Sequence, residues 1–252
     1  MRIAVITGAS AGLGREFARS VLTAYPLLDE IWVIARRAER LADLKTELGE
    51  KIRPVPFDIT DRAAVAEYTE LLQRENARVA LLINNAGFGK LGDFDEISAE
   101  DNAGMVDLNC TALTYFTAVS LPFMVDGGEI INTCSIASFA PNSRMAVYCS
   151  TKAYVMSFSR CLRTELKKRR INVLAVCPGP METEFLPVAN ITKGASHTFD
   201  ILPRVDPKAM AEKSLRASKR RKGVYTNRLF YKFYRLVAKV LPHRLVMKLA
   251  GA

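Results

Sequence analysis

The strongest constraint on this chain is a β-branched run, Ile3-Ala4-Val5-Ile6-Thr7. It feeds directly into a glycine-rich turn, Gly8-Ala9-Ser10-Ala11-Gly12-Leu13-Gly14, and then into an amphipathic segment. Such a strand-to-helix turn lets backbone N–H groups approach a pyrophosphate, and the helix N-terminus favours its negative charge. Three residues separate the first two glycines, which departs from the GxGxxG fingerprint, and a glycine turn can also serve tight packing.

The same alternation continues along the chain. Strand-like runs are expected at Ile3–Thr7, Ile31–Ala35, Ile52–Phe57, Val79–Asn84, Glu129–Thr133 and Ile171–Cys177, with a weaker seventh at Gly223–Thr226. Helical segments are expected at Leu13–Leu22, Arg37–Leu48, Arg62–Arg74, Ala99–Val125 and Met145–Arg169. Strands alternating with helices imply βαβ units and right-handed crossovers. The nearly all-apolar strands imply helices on both faces. The expectation is an α/β chain: one Rossmann-like domain over residues 1–252, with a doubly wound parallel sheet of about seven strands.

Composition narrows the function classes. No run approaches the roughly 18 apolar residues of a membrane span. The chain goes straight into a strand pattern, so no signal peptide is expected. Five cysteines form no CxxC pair, and there are two histidines. The sequence therefore predicts no metal site and a cytoplasmic location. The net charge of +10 is uneven: from Arg204 onward there are 14 basic residues and two acidic, against 22 basic and 24 acidic before it.

Two further positions suggest chemistry. The second strand ends Ile34-Ala35-Arg36-Arg37, with no carboxylate to receive a ribose 2′-hydroxyl and two guanidiniums suited to a 2′-phosphate. This favours NADP over NAD, with Arg36 as the expected contact and the other arginine a solvated helix start. Tyr148 and Lys152 stand four residues apart in a helical segment, on one face. A nearby ammonium favours ionisation of the phenol.

With these pieces assembled, the chain resembles the single-domain short-chain dehydrogenase/reductase family over about its first 185 residues. Thr7-Gly8…Gly12…Gly14 is similar to its cofactor turn, Asp58 to its adenine-contacting Asp, and Asn84-Asn85-Ala86-Gly87 to its NNAG segment. Asn109, Ser135, Tyr148 and Lys152 resemble its catalytic tetrad, and Pro178-Gly179-Pro180-Met181-Glu182-Thr183 its PG-xxx-T segment. The resemblance implies NADP(H) held by Thr7, Gly8, Ser10, Gly12, Leu13, Gly14, Arg36, Asp58, Ile59, Asn85, Ala86, Gly87, Tyr148, Lys152, Pro178, Gly179 and Thr183. It implies Tyr148 as general acid/base, Ser135 as oxyanion donor, Lys152 holding the ribose, and Asn109 holding a water for proton return. It also implies a homodimer or homotetramer through the two long helices.

Residues 181–206 fall where this family places its substrate lid, and Phe185, Leu186, Val188, Ile191, Phe199, Ile201 and Leu202 favour a lipophilic carbonyl or alcohol. Residues 219–252 form a basic amphipathic extension. Leu229, Phe230, Phe233, Tyr234, Val237, Val240 and Leu241 recur at helical spacing between Lys232, Arg235 and Lys239. This stripe can cap its own domain near the substrate pocket, pack across a subunit interface or lie on an anionic membrane surface, and packing within the protein is the favoured fate. Nucleic-acid binding is not expected, because no binding fold accompanies the charge. The competing class is a catalytically silent nucleotide-binding or membrane-associated interaction protein on the same fold.

Overall fold

The computed structural model describes residues 1–192, 194 and 197–249. Seven strands, β1 (Arg2–Thr7), β2 (Glu30–Ala35), β3 (Ile52–Pro56), β4 (Arg78–Asn84), β5 (Met124–Thr133), β6 (Asn172–Val176) and β7 (Val224–Tyr225), form one sheet. The order is β3-β2-β1-β4-β5-β6-β7, and every pairing is parallel. The chain winds outward one way from β1 to β3, then the other way from β4, so a crevice opens at the carboxyl ends of β1 and β4.

Successive strand residues face opposite sides of the sheet. Ala4 and Ile6 join one core cluster with Phe17 and Val21 of α1 (Gly12–Ala24), Leu41 and Leu44 of α2 (Ala38–Leu48), and Met210 and Leu215 of α9 (Pro207–Lys219). Ile3 and Val5 join the other. There they meet Val65, Tyr68 and Leu72 of α3 (Arg62–Arg74), Phe116 of α5 (Leu113–Ser120) and Leu162 of α6 (Ala146–Glu165). Each large apolar side chain buried this way contributes about 1.5–3 kcal/mol. Tyr68 stacks on Phe116 with ring centroids 4.7 Å apart, and its hydroxyl meets Ser120.

The long helix expected at Ala99–Val125 is broken. α4 (Ala99–Val106), capped by Ser98, gives way to a π turn over Asp107–Ala112 before α5. A short 3-10 turn, Leu121–Phe123, follows, and β5 then starts at Met124, five residues before the expected Glu129. Pro122 cannot continue a helix, and Gly127 at φ +80° lets the early part of β5 bend into register. The helix expected to reach Arg169 stops at Glu165, and Arg170 adopts φ +54° on the way into β6.

Residues 181–206 carry two short helices, α7 (Phe185–Val188) and α8 (His197–Ile201). The C-terminal segment folds as α10 (Leu229–Val240) and α11 (His243–Leu249), separated at Pro242. Tyr231, Ala238 and Val246 are buried. The Tyr231 hydroxyl donates to Pro203 O at 2.6 Å, which ties α10 to the segment before α9. Among the described residues no helix is long and apolar enough to cross a membrane.

Candidate active site

A cleft of about 1160 Å³ runs along the carboxyl ends of the strands, from Arg36 and Asp58 at one end to Leu186, Ile191 and Tyr234 at the other. Of the catalytic and cofactor-binding residues expected from the sequence, all line it except Thr7, Gly14 and Asn109.

The glycine turn is built for close approach. Gly8 and Gly12 have φ of +68° and +51°, in the left-handed region that glycine adopts without strain. A Cβ on Gly8 would come within 2.8 Å of Ala86 Cα, and one on Gly14 would collide with Gly8 O. Thr7 fixes the neighbouring strand end, its hydroxyl accepting from the N–H groups of Asn85 (3.0 Å) and Ala86 (3.1 Å). Asn85 adds a bond from Nδ2 to Gly8 O at 3.3 Å and accepts from Thr133 Oγ1 at 3.1 Å. The N-terminus of α1 carries no side-chain cap, which leaves its N–H groups for an anion. The turn, the uncapped helix and the length of the cleft fit an extended dinucleotide.

At the adenosine end the two arginines differ. Arg36 is largely exposed and sits 3.7 Å from Asp58 Oδ2. Arg37 is anchored: its guanidinium donates to Ser10 Oγ at 3.1 Å and to Glu184 Oε2 at 2.8 Å. Asp58 is turned toward its own loop, accepting from Thr60 N and Oγ1. Ile59 is buried beside it. Sequence reasoning missed Glu184; the signal was its place one residue after Thr183, on the segment facing the turn.

At the other end Ser135, Tyr148 and Lys152 converge. Ser135 caps a 3-10 turn over Ile136–Ser138, its Oγ accepting from Ala137 N at 3.1 Å, so its own proton is free to donate. That proton favours the Tyr148 phenolate. Tyr148 and Lys152 lie one turn apart on α6, both buried, with Lys152 Nζ 5.7 Å from the phenol ring centroid and donating to Thr133 O at 3.0 Å. Gly89 permits this packing, since a Cβ there would meet Tyr148 Cδ2 at 2.6 Å. Phe185 covers the other side of the ring, 5.7 Å between centroids.

The electrostatics correct one expectation. Burial pushes the Tyr148 phenol well above its ordinary value, more than the Ser135 hydrogen bond lowers it. Burial likewise pulls the Lys152 ammonium down. Desolvation disfavours both charged forms and is the largest influence on each.

Asn109 sits on the π turn and is buried. Its Nδ2 donates to Phe88 O at 2.8 Å and Thr151 Oγ1 at 3.1 Å, while Oδ1 accepts from Phe88 N at 3.1 Å. The side chain thus clamps the NNAG loop to α6. Cys134 and Cys149, which flank the site in sequence, are both buried. Among the described residues no group of three or more His, Cys, Asp or Glu is placed to hold a metal ion.

The apolar wall at this end comes from α7, α8 and the C-terminal helices, through Phe230, Tyr234, Val237 and Val246. Tyr234 packs on Phe139 with ring centroids 6.0 Å apart. The repeat of aromatics at helical spacing was the only sequence signal for this, and it did not say which side faces the cleft.

Known proteins are similar to this chain in sequence and fold. The sequence model of the short chain dehydrogenase family matches residues 2–193. The NADP-dependent 3-hydroxy acid dehydrogenase YdfG of Escherichia coli is 36% identical over 180 residues, covering 70% of this chain and 71% of that one. Serine 3-dehydrogenase of Agrobacterium fabrum is 35% identical over 187 residues, 72% of each chain. A short-chain dehydrogenase from Sphingobium yanoikuyae, solved in complex with NADPH, superposes with a TM-score of 0.78 at 30% identity over 95% of this chain and 93% of that one. The closed form of a serine dehydrogenase complexed with NADP+ gives 0.79 at 31% identity, over 90% and 94%. With its turn, crevice and Ser-Tyr-Lys cluster in this order, the chain belongs to the short chain dehydrogenase family.

Proposed function

We propose that this chain is an NADP(H)-dependent oxidoreductase that interconverts a carbonyl and an alcohol on a lipophilic small molecule. One observation carries the reading: Ser135, Tyr148 and Lys152 meet beside an apolar wall at one end of a cleft whose other end is the glycine turn. The relatives described as NADP-dependent, or solved with NADPH or NADP+, support the cofactor.

The residues divide the work as follows. The turn from Gly8 to Gly14, with Ser10 and Leu13, holds the pyrophosphate, and Arg37 or Arg36 receives the 2′-phosphate. Asp58 and Ile59 border the adenine, Asn85-Ala86-Gly87 border the ribose, and Pro178, Gly179 and Thr183 border the nicotinamide. When bound, that cofactor supplies or accepts the hydride. Ser135 donates a hydrogen bond to the carbonyl oxygen as negative charge builds on it. Tyr148, held neutral by burial, is poised to give that oxygen its proton as general acid. Lys152 stabilises the phenolate left behind and anchors the ribose. Asn109 is a positioning residue, its amide occupied by Phe88 and Thr151.

The lipophilic reading rests on charge. Among the described residues lining the cleft the cations are Arg36 and Arg37 at the adenosine end, Lys152 at the Tyr-Ser cluster, and Lys90, which is paired with Asp101 at 3.2 Å. Among the described residues no unpaired cation faces the apolar wall to receive a carboxylate. Residues 181–206 act as the substrate lid, with Phe185, Leu186 and Phe199 inward. A homodimer or homotetramer through α4–α5 and α6 is part of this reading and rests on the family resemblance.

The test is a panel of ketones, aldehydes and secondary alcohols assayed with NADPH and NADH in parallel, following the absorbance of the reduced nicotinamide. Turnover of apolar ketones with NADPH is expected. Bound cofactor without turnover on any of them overturns the reading.

A further inference from the structure

Helix α10 is apolar on two sides. Its inner side carries Tyr231 and Ala238, both buried against the body of the protein. Its outer side carries Leu229, Phe233, Leu236 and Val240, with 81%, 67%, 58% and 71% of their surface exposed. At 3.6 residues per turn these four fall within an arc of about 60°. Phe230 beside them is half exposed, and past Pro242 the exposed Leu241 and Leu245 extend the patch. Exposed large apolar side chains scattered singly need no explanation, but a contiguous stripe marks an interaction surface.

The charges on this stripe are of one sign. No Asp or Glu occurs after Glu212, while Arg228, Lys232, Arg235, Lys239, Arg244 and Lys248 follow. Lys232 and Lys239 are exposed along one flank of the apolar arc. None of these six cations forms an ion pair with an Asp or Glu among the described residues. Exposed Arg220, Arg221 and Lys222 add to the field nearby.

We propose that the outer face of α10, continued by α11, docks on the surface of an anionic lipid bilayer. The bilayer offers what this face lacks: an apolar layer for Leu229, Phe233, Leu236 and Val240, and anionic headgroups for the flanking cations. A second copy of the chain fits poorly. A two-fold contact centred on this stripe would bring α10 against α10, with same-sign charges opposed and no carboxylate on either side. The helix does not cross the bilayer, because its 12 residues span only about 18 Å of a core about 30 Å thick. It lies along the surface, and its inner side stays seated on the protein. The segment falls beyond the residues matched by the family's sequence model, so the proposal stands apart from the assignment of the reaction.

The experiment is flotation of the full chain with vesicles of phosphatidylcholine alone, and with vesicles one-third phosphatidylglycerol, at low and at high salt. The chain is expected to float with the anionic vesicles and to lose most of that binding at high salt. Phe233→Glu with Leu236→Glu, and separately Lys232→Glu with Lys239→Glu, are each expected to weaken partition about tenfold or more. All four side chains are exposed, so the melting temperature should hold, and either pair suffices if the other perturbs folding. No flotation of the unaltered chain, or equal flotation with both vesicle types, overturns the proposal. So does a light-scattering mass that falls from dimer to monomer in Phe233→Glu with Leu236→Glu without loss of vesicle binding, which would assign the face to self-association.

Discussion

The ring of Tyr231 lies against Gly179, so near that a Cβ on the glycine would collide with the ring atoms. A residue of the C-terminal helix therefore presses on the segment expected to border the nicotinamide. Its hydroxyl also reaches Pro203 O. Tyr231→Ala should destabilise the chain by about 3–5 kcal/mol through the cavity it leaves. Tyr231→Phe, which loses only the hydrogen bond, should cost about 1 kcal/mol. Urea midpoints measure both, and equal losses would mean that the ring contributes nothing by packing.

Tyr148→Phe keeps the ring between Gly89 and Phe185 and removes the proton. Turnover should fall by about 10²–10⁴-fold. The dissociation constant for NADPH, read by fluorescence, should stay unchanged. Loss of cofactor binding in this variant would place Tyr148 in the binding surface and not in proton transfer.

Arg37 and Arg36 make unequal contacts, and the 2′-phosphate should feel the difference. Arg37→Ala removes a guanidinium already oriented by Ser10 and Glu184. One charge-assisted contact of about 1.5–3 kcal/mol predicts about 10- to 150-fold weaker NADPH binding. NADH, which lacks the phosphate, should be nearly unaffected. Arg36→Ala should do less, and the reverse order, measured by calorimetry, would restore Arg36 as the principal contact.

Alkaline pH should unfold the cofactor-free chain early. Phenols of unfolded chains titrate near about pH 10. Burial raises Tyr25, Tyr68 and Tyr148 above that value in the folded protein. Each contributes stability that is full below about pH 10 and is lost as the pH climbs toward its folded value. Lys152, lowered by burial, has the opposite sign, and its contribution is lost as the pH falls below about 10.4. Three phenols outweigh one lysine, so urea midpoints should drop between about pH 9 and 11. The part of the phenolate absorbance that belongs to these three buried rings should rise with unfolding and not before it. By the same linkage Lys152→Met should stabilise the cofactor-free chain at neutral pH while removing turnover.

The sheet and most of the site were legible because each rests on local pattern. β-branched runs mark strands wherever both faces are covered, as at Ile31–Ala35. Glycines at a strand end mark a turn that no other residue can make. What escaped the sequence depends on contacts between distant segments. That Arg37, and not Arg36, is anchored depends on Glu184, 147 positions away. Which side of α10 walls the cleft depends on Tyr231 packing against Gly179, which has no side chain. The sign of the Tyr148 shift was missed because spacing reports a neighbour's charge and says nothing of the water excluded by Phe185 and Gly89. The early start of β5 was signalled by Pro122, which an otherwise helical apolar pattern obscured.

The π turn over Asp107–Ala112 amounts to one extra residue accommodated inside a helix. Deleting a single residue between Val106 and Leu113 would allow regular winding from Ala99 to Ser120. The flanking segments would keep their faces, but the widened turn that carries Asn109 would be lost, and with it the side chain's reach to both Phe88 and Thr151. A redesign guided by helical regularity alone would select that deletion as an improvement. The irregularity carries the information that aligns two halves of the reaction centre, and it sits where a purely local criterion would edit it out.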